Sequence, residues 1–270
     1  MTIAVSLEEV KTRQQKTWSS GDYGKVAWIT VPLADALCDA VALRPGSAVL
    51  DVATGTGHVA LAAARRFCTV TGIDYVPAVL QEARARAGAE HLQVQFREAD
   101  AEQLPCPDGS LDYVLSAIGV MFTADHQRAA GELLRVCRSG GVVGLANWTP
   151  AGFIGQMLKL VGRHVPPPPG VRPPTRWGTE DGIRELLGAG TAELAFTTAS
   201  VTQRFPSPEF FADFFLEYYG PTLKASEALT QEGRSAFRDD LIALATASNQ
   251  ATDGTLVSDW EFLITVATRA

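Results

Sequence analysis

The stretch Val49-Leu50-Asp51-Val52-Ala53-Thr54-Gly55-Thr56-Gly57-His58-Val59-Ala60 constrains this chain more than any other. A short apolar run reads as a strand, a turn punctuated by glycine follows, and an apolar helix opens at once. Glycine at 55 and 57 removes the Cβ atoms that would block a ligand and permits a positive φ. The first turn of the next helix offers unpaired N–H groups to a carboxylate or phosphate. Asp51 ends the strand with a negative charge, which disfavours a dinucleotide phosphate and favours a cationic ligand.

Downstream the pattern repeats. Strands over 48–52, 69–74, 92–97, 111–117 and 142–148 alternate with crossovers that include helices over 57–66, 77–88 and 125–138. Such alternation predicts a doubly wound α/β domain whose mostly parallel sheet is covered on both faces. Ahead of it, 6–16 is a polar helix, 19–23 a turn, and 26–42 a helical apolar pattern that Arg44-Pro45-Gly46 ends. After Trp148 come a helix over 151–162, a proline-rich stretch over 165–174 and a helix over 179–188. A strand over 192–205, helices over 208–219 and 222–249 and a strand over 259–268 complete the chain. The reading is a helical lid (1–46), a ligand-binding core (47–148), a cap with a sixth strand (149–250) and a final core strand (251–270), giving seven strands in all.

A formal charge of −7 makes nucleic acid a poor partner, because nucleic acid rewards clustered Lys and Arg. The four cysteines, Cys38, Cys68, Cys106 and Cys137, form no C-x-x-C pair and read as reduced thiols. Residues 1–20 lack the apolar core of a signal peptide, and no apolar run has membrane-spanning length. A cytoplasmic protein without a membrane anchor is expected. No helix carries His or carboxylate pairs at metal-ligand spacing, so no metal is expected.

Two ligands compete for the glycine turn. Gly55-Thr56-Gly57-His58-Val59-Ala60 satisfies a dinucleotide fingerprint with Ala in the third position, and Asp74 follows at ribose-binding distance. That reading is an NAD(P)-dependent oxidoreductase. Asp51 before the turn, the long segment before the first strand, and Asp100 after the third strand favour S-adenosylmethionine instead.

The chain resembles the class I S-adenosylmethionine-dependent methyltransferases, in the branch similar to the ubiquinone and menaquinone C-methyltransferases. The resemblance rests on Asp51–Gly57, Gly72-Ile73-Asp74, Ala99–Pro105, Leu111-Asp112-Tyr113-Val114 and Leu133–Gly141, in order and in register over about 47–148. It implies a Rossmann-like methyltransferase fold. It also implies that Ala53, Thr54, Gly55 and Gly57 line the methionine portion of the cofactor beside Asp51. Asp74 would accept both ribose hydroxyls, with Tyr75 packed beside the adenine. Asp100 and Ala101, with Glu102 in the same segment, would bracket the adenine edge, and Ser116 and Ala117 would lie under the methionine. Trp18 and Tyr23 resemble the N-terminal lid of this branch. Ala53 departs from the glycine many members carry, a mild change if its φ stays negative.

Methyl transfer needs alignment more than a catalytic group, and the sequence displays no obvious base. His126, at the start of the helix after the fourth strand, and His164, before the prolines, are the candidates for that role. Trp148, Arg163, Trp177, Tyr218 and Tyr219 are the candidate substrate contacts, with Arg172 and Arg176 also flanking the proline loop. The expected partner is a small, partly apolar methyl acceptor of the secondary-metabolite kind, held in part by an arginine. The chain is expected to be a monomer or homodimer. A cyclase-like protein that binds the cofactor without methylating is a further alternative.

Overall fold

A computed structural model describes residues 6–270. In chain order the first elements are α1 (Leu7–Trp18), α2 (Tyr23–Ala27), α3 (Val31–Ala40), β1 (Ala48–Val52), α4 (His58–Arg65), β2 (Thr69–Asp74) and α5 (Pro77–Ala89). Then come β3 (Val94–Glu98), β4 (Leu111–Ala117), α6 (His126–Val136), β5 (Cys137–Trp148), α7 (Phe153–His164) and α8 (Glu180–Leu187). β6 (Thr191–Phe205), α9 (Pro208–Tyr218), α10 (Gly220–Glu227), α11 (Gln231–Ala247) and β7 (Leu256–Arg269) follow.

The seven strands form one sheet in the order β3-β2-β1-β4-β5-β7-β6. The first five pair in parallel, while β7 runs antiparallel between β5 and β6. From β1 the chain steps outward through α4 to β2 and through α5 to β3. From β4 it steps the other way through α6 to β5. Right-handed crossovers therefore place α4 and α5 on one face and α6 on the other. The order reverses between β1 and β4, and a crevice opens there at the carboxyl ends of the strands.

Val49, Leu50, Val52, Ile73, Val114, Leu115, Val143 and Leu145 are buried, as parallel strands covered on both faces require. One helix and one strand are among the elements that differ from the sequence reading. The helix expected over 222–249 is broken into α10 and α11, because Thr230 caps α11 by accepting a hydrogen bond from the Gly233 amide. The expected last strand also begins earlier, at Leu256, and pairs along almost all of β6.

Beyond β5, α7, α9, α10 and α11 pack on one another, and α7, α9 and α11 also reach β6 or β7. Their core is aromatic. Phe153 stacks on Trp260 at 5.1 Å with an interplanar angle of 3°, and Phe211 and Phe215 meet the same indole edge to face. Such pairs add about 0.5–1.5 kcal/mol each beyond area burial. At the other end of the chain, α1 lies against α10, and α2 against α9. The N-terminal helices are thereby tied to the C-terminal half across the crevice.

Candidate active site

The turn after β1 is built around strained backbone. Ala53, Gly55 and Gly57 have φ of 54°, 53° and 87°. Ala53 thus sits in the left-handed region, which corrects the expectation that alanine there is unstrained; an L-residue in that region costs about 1–2 kcal/mol. Gly119 makes the space: a Cβ on it would lie 2.5 Å from the Ala53 Cβ. Asp51 locks the turn. Its carboxylate accepts hydrogen bonds from the Thr54 hydroxyl and, at 2.9 Å, from the Ala60 amide in the first turn of α4. Burial pushes its carboxyl up to about 7, with the nearby Asp74 charge adding in the same direction and the two hydrogen bonds opposing.

Asp74 ends β2 opposite the turn. Its two oxygens accept from the Gly55 and Val76 amides, each at 2.9 Å, leaving further lone pairs for a ligand. Burial raises it to about 6. Next along the same rim, Asp100 accepts from the Glu102 amide at 2.9 Å. Glu102 is buried and accepts from the Ala124 and Asp125 amides. Both carboxylates hold the Lys11 ammonium of α1 at 2.6 Å. Gln15 of α1 adds a 2.7 Å hydrogen bond to the Tyr75 carbonyl. The first helix is therefore fastened over the rim at three points.

These groups border a cleft that opens to solvent. Of the residues singled out in the sequence, Trp18, Tyr23, Asp51, Ala53, Thr54 and Gly55 line it. Asp74, Tyr75, Asp100, Ala101, Glu102 and Ala117 do so as well. Gly57 and Ser116 stand behind the wall. A Cβ on Gly57 would meet Ala83 and Phe96, while the Ser116 hydroxyl donates to the Val52 carbonyl and accepts from the Val120 amide. Lys11, Gln14, His58 and Phe122 also line the cleft and were not singled out. Lys11 carried no local signal, since its partners lie 89 and more residues away.

A second, smaller chamber adjoins the cleft, and Trp18, Tyr23, Thr30 and Ile118 border both. Trp148 and Tyr219 line this chamber; Arg163, Trp177 and Tyr218 do not. Arg163 borders a surface groove between α7 and α11, Trp177 is fully buried against His126, and Tyr218 lies beneath the Lys25 ammonium. Arg176 is engaged with Glu185 at 2.7 Å. An arginine-held anionic group is therefore not what this chamber offers.

Both candidate bases are corrected as well. His126 is buried beside Trp177 and borders neither cavity, and burial with the Arg176 charge lowers its pKa to about 4. His164 pairs with Asp240 of α11 at 2.8 Å and borders neither cavity. His58 does reach the cleft, but burial and Arg86 lower its pKa to about 3 and keep it neutral. Among the described residues no cluster of His, Cys, Asp and Glu is arranged to hold a metal ion, and no helix is long and apolar enough to cross a membrane.

Comparison with known proteins agrees with this geometry. The family described as "Methyltransferase domain" matches residues 50–145. An uncharacterised protein of Mycobacterium tuberculosis is 38% identical over 273 residues, covering 99% of each chain. Demethylmenaquinone methyltransferase of Deinococcus radiodurans is 41% identical over 123 residues, 44% of this chain and 51% of that one. The YcgJ protein of Bacillus subtilis shares the fold, with a TM-score of 0.59 at 18% identity over 88% of this chain and 98% of its own. With its strand order, its glycine turn flanked by two buried carboxylates, and the family match over residues 50–145, the chain carries a methyltransferase domain on a Rossmann-like methyltransferase fold.

Proposed function

We propose that the cleft binds S-adenosylmethionine and that the methyl group passes to a small, partly apolar molecule in the adjoining chamber. The observation that carries this reading is the pair of buried carboxylates, Asp51 and Asp74, on either side of the glycine turn. A pyrophosphate at the same helix terminus would meet the Asp51 charge; a cationic ligand is stabilised by it. In this reading Asp74 accepts the two ribose hydroxyls with the lone pairs that the Gly55 and Val76 amides leave free. The main chain of Ala53, Thr54 and Gly55 follows the methionine portion, Tyr75 flanks the adenine, and Asp100 with Ala101 meets its edge. Ser116 supports this wall from behind by joining β4 to β1.

When bound, S-adenosylmethionine supplies an electrophilic methyl group on a sulfonium whose departure as a thioether is easy. The protein contributes alignment and exclusion of water, for which proximity and orientation supply about 7–11 kcal/mol. Trp18, Tyr23 and Ile118, shared by cleft and chamber, form the passage between the two reactants. The division of labour follows the chain: lid over 1–46, cofactor core over 47–148, acceptor cap over 149–250, and a closing strand over 251–270. We place the enzyme in the cytoplasm, as a monomer or homodimer with reduced thiols.

Calorimetric titration tests the cofactor assignment. S-adenosylhomocysteine is expected to bind and NADH to give no heat; the reverse result would refute the assignment. A second expectation concerns the lid. Lys11→Met removes an ammonium shared by Asp100 and the buried Glu102, so S-adenosylhomocysteine should dissociate roughly three- to tenfold faster, as exposed and half-buried ion pairs warrant. The effect should shrink in high salt. An unchanged dissociation rate in stopped-flow fluorescence would mean that the fastening of α1 plays no part in ligand retention.

A further inference from the structure

Resting on the cofactor assignment above, we infer that the ring of Tyr23, with Trp18 and Phe122 beside it, recognises the positive charge on the sulfur of S-adenosylmethionine and so separates the methyl donor from uncharged S-adenosylhomocysteine. The sulfur of the donor has three substituents: the ribose, the methionine chain and the methyl group. With the ribose at Asp74, the methionine chain along the turn after β1 and the methyl group toward the chamber, the sulfur belongs where those three regions meet.

Tyr23 stands at that meeting. A Cβ on Gly55 would lie 3.4 Å from its Cε1, so the ring rests on the glycine turn. The same residue borders both the cleft and the chamber. Burial, and with it the Asp74 charge, raises its phenol to about 12, so it stays protonated at pH 8. Trp18 packs against Tyr23 at 5.6 Å and 87°, and against Phe122 at 4.8 Å and 65°. Rings inclined so steeply leave faces free, as a stack would not. All three are half-buried and line the cleft, which leaves them surface to offer a ligand.

No other group at the junction answers a charge. Thr30 and Ile118 also border both cavities, and neither ionises. Asp51 and Asp74 border the cleft but not the chamber. On the chamber side a sulfonium therefore meets aromatic rings, whose negative faces attract a cation. A neutral thioether in the same place gains no such attraction. The rings thus hold the donor and let the demethylated product go, without any titrating group of their own.

Fluorinated phenylalanines at position 23 test this with little change of shape, because each fluorine drains negative charge from the ring face. From phenylalanine through its 4-fluoro, 3,5-difluoro and 3,4,5-trifluoro forms, the dissociation constant of S-adenosylmethionine should rise stepwise to about tenfold, while that of S-adenosylhomocysteine stays within about twofold. Sinefungin, which carries an ammonium group on carbon in the sulfur's place, should follow S-adenosylmethionine. Tyr23→Phe should keep the preference for the charged ligands and Tyr23→Leu should lose it. Calorimetry at pH 8 keeps Asp51 and Asp74 ionised, so the carboxylates contribute equally throughout. Weakening of all three ligands by one factor, in the fluorine series or in Tyr23→Leu, would reduce Tyr23 to a packing residue and overturn the inference. So would a series in which no affinity changes. Failure of the wild-type chain to bind S-adenosylhomocysteine would instead remove the cofactor assignment beneath it.

Discussion

Asp74→Asn is expected to weaken S-adenosylhomocysteine binding by about a hundredfold. The carboxylate receives the Gly55 and Val76 amides on its two oxygens and is proposed to receive both ribose hydroxyls as well. An Asn amide turns one of those oxygens into an N–H donor, which then faces a backbone N–H instead of accepting from it. Hydrogen bonds to a charged group are worth about 1.5–3 kcal/mol each, so losing most of two gives the stated factor. The substitution also removes a buried charge that burial itself disfavours, so thermal stability should change far less than affinity. Calorimetry on the variant, with circular dichroism to verify folding, provides the measurement. A dideoxy analogue lacking both ribose hydroxyls should bind wild type and variant alike. A loss below about threefold would remove Asp74 from the site.

The parts of this enzyme that the sequence disclosed are those in which neighbours along the chain are also neighbours in space. Strand, turn and helix from Val49 to Ala60 form one local unit, Asp74 ends β2 and Asp100 closely follows β3, so spacing alone carried them to the crevice. The chamber is different. Its walls come from α1, α2 and the turn after it, the segment after β4, β5, α7, α9 and β7, and no period or spacing links Ile29 to Met157 or Trp260. The arginines around the proline loop looked like an anion site because they are close in sequence. In the fold Arg176 turns to Glu185, and Arg163 borders a groove on the far side of α7 from the chamber. The histidines failed for the same reason: a position near the end of a strand says nothing about which way an imidazole points, and His126 points into the core. Lys11 was invisible because a lysine on a polar helix looks like solvated surface until Asp100 and Glu102 arrive from elsewhere. Ala53 is a subtler case. Its strain is tolerated because Gly119, on the next strand's loop, lacks the Cβ that would collide with it, a compensation between positions that only folding brings together.

Affinity for S-adenosylmethionine should fall as pH drops from 8 to 5.5, by about thirtyfold if Asp51 alone governs it. Burial holds the free Asp51 and Asp74 carboxyls at about 7 and about 6, so acid protonates both before the ligand arrives. A cation in the cleft favours the ionised forms and lowers both pKa values. Binding below pH 7 therefore requires proton release, and the dissociation constant rises as pH falls. S-adenosylhomocysteine lacks the sulfonium charge and should show a shallower slope; the difference between the two ligands isolates the charge. Asp51→Asn keeps an oxygen for the Thr54 hydroxyl and the Ala60 amide, so it should fold while flattening the S-adenosylmethionine curve above pH 6. The stability of the free protein has the opposite sign for these groups. A carboxyl raised on folding favours the native state as pH falls toward its unfolded value near 4. Between about 6.5 and 4, however, His58 and His126, held neutral by burial, cost stability as the solution turns acid. Thermal midpoints mix these two trends, whereas ligand affinity responds to the cleft carboxylates alone, since neither imidazole changes charge between pH 8 and 5.5. Isothermal titration across that range decides the matter: parallel curves for the two ligands would mean that no carboxylate beside the glycine turn senses the sulfonium.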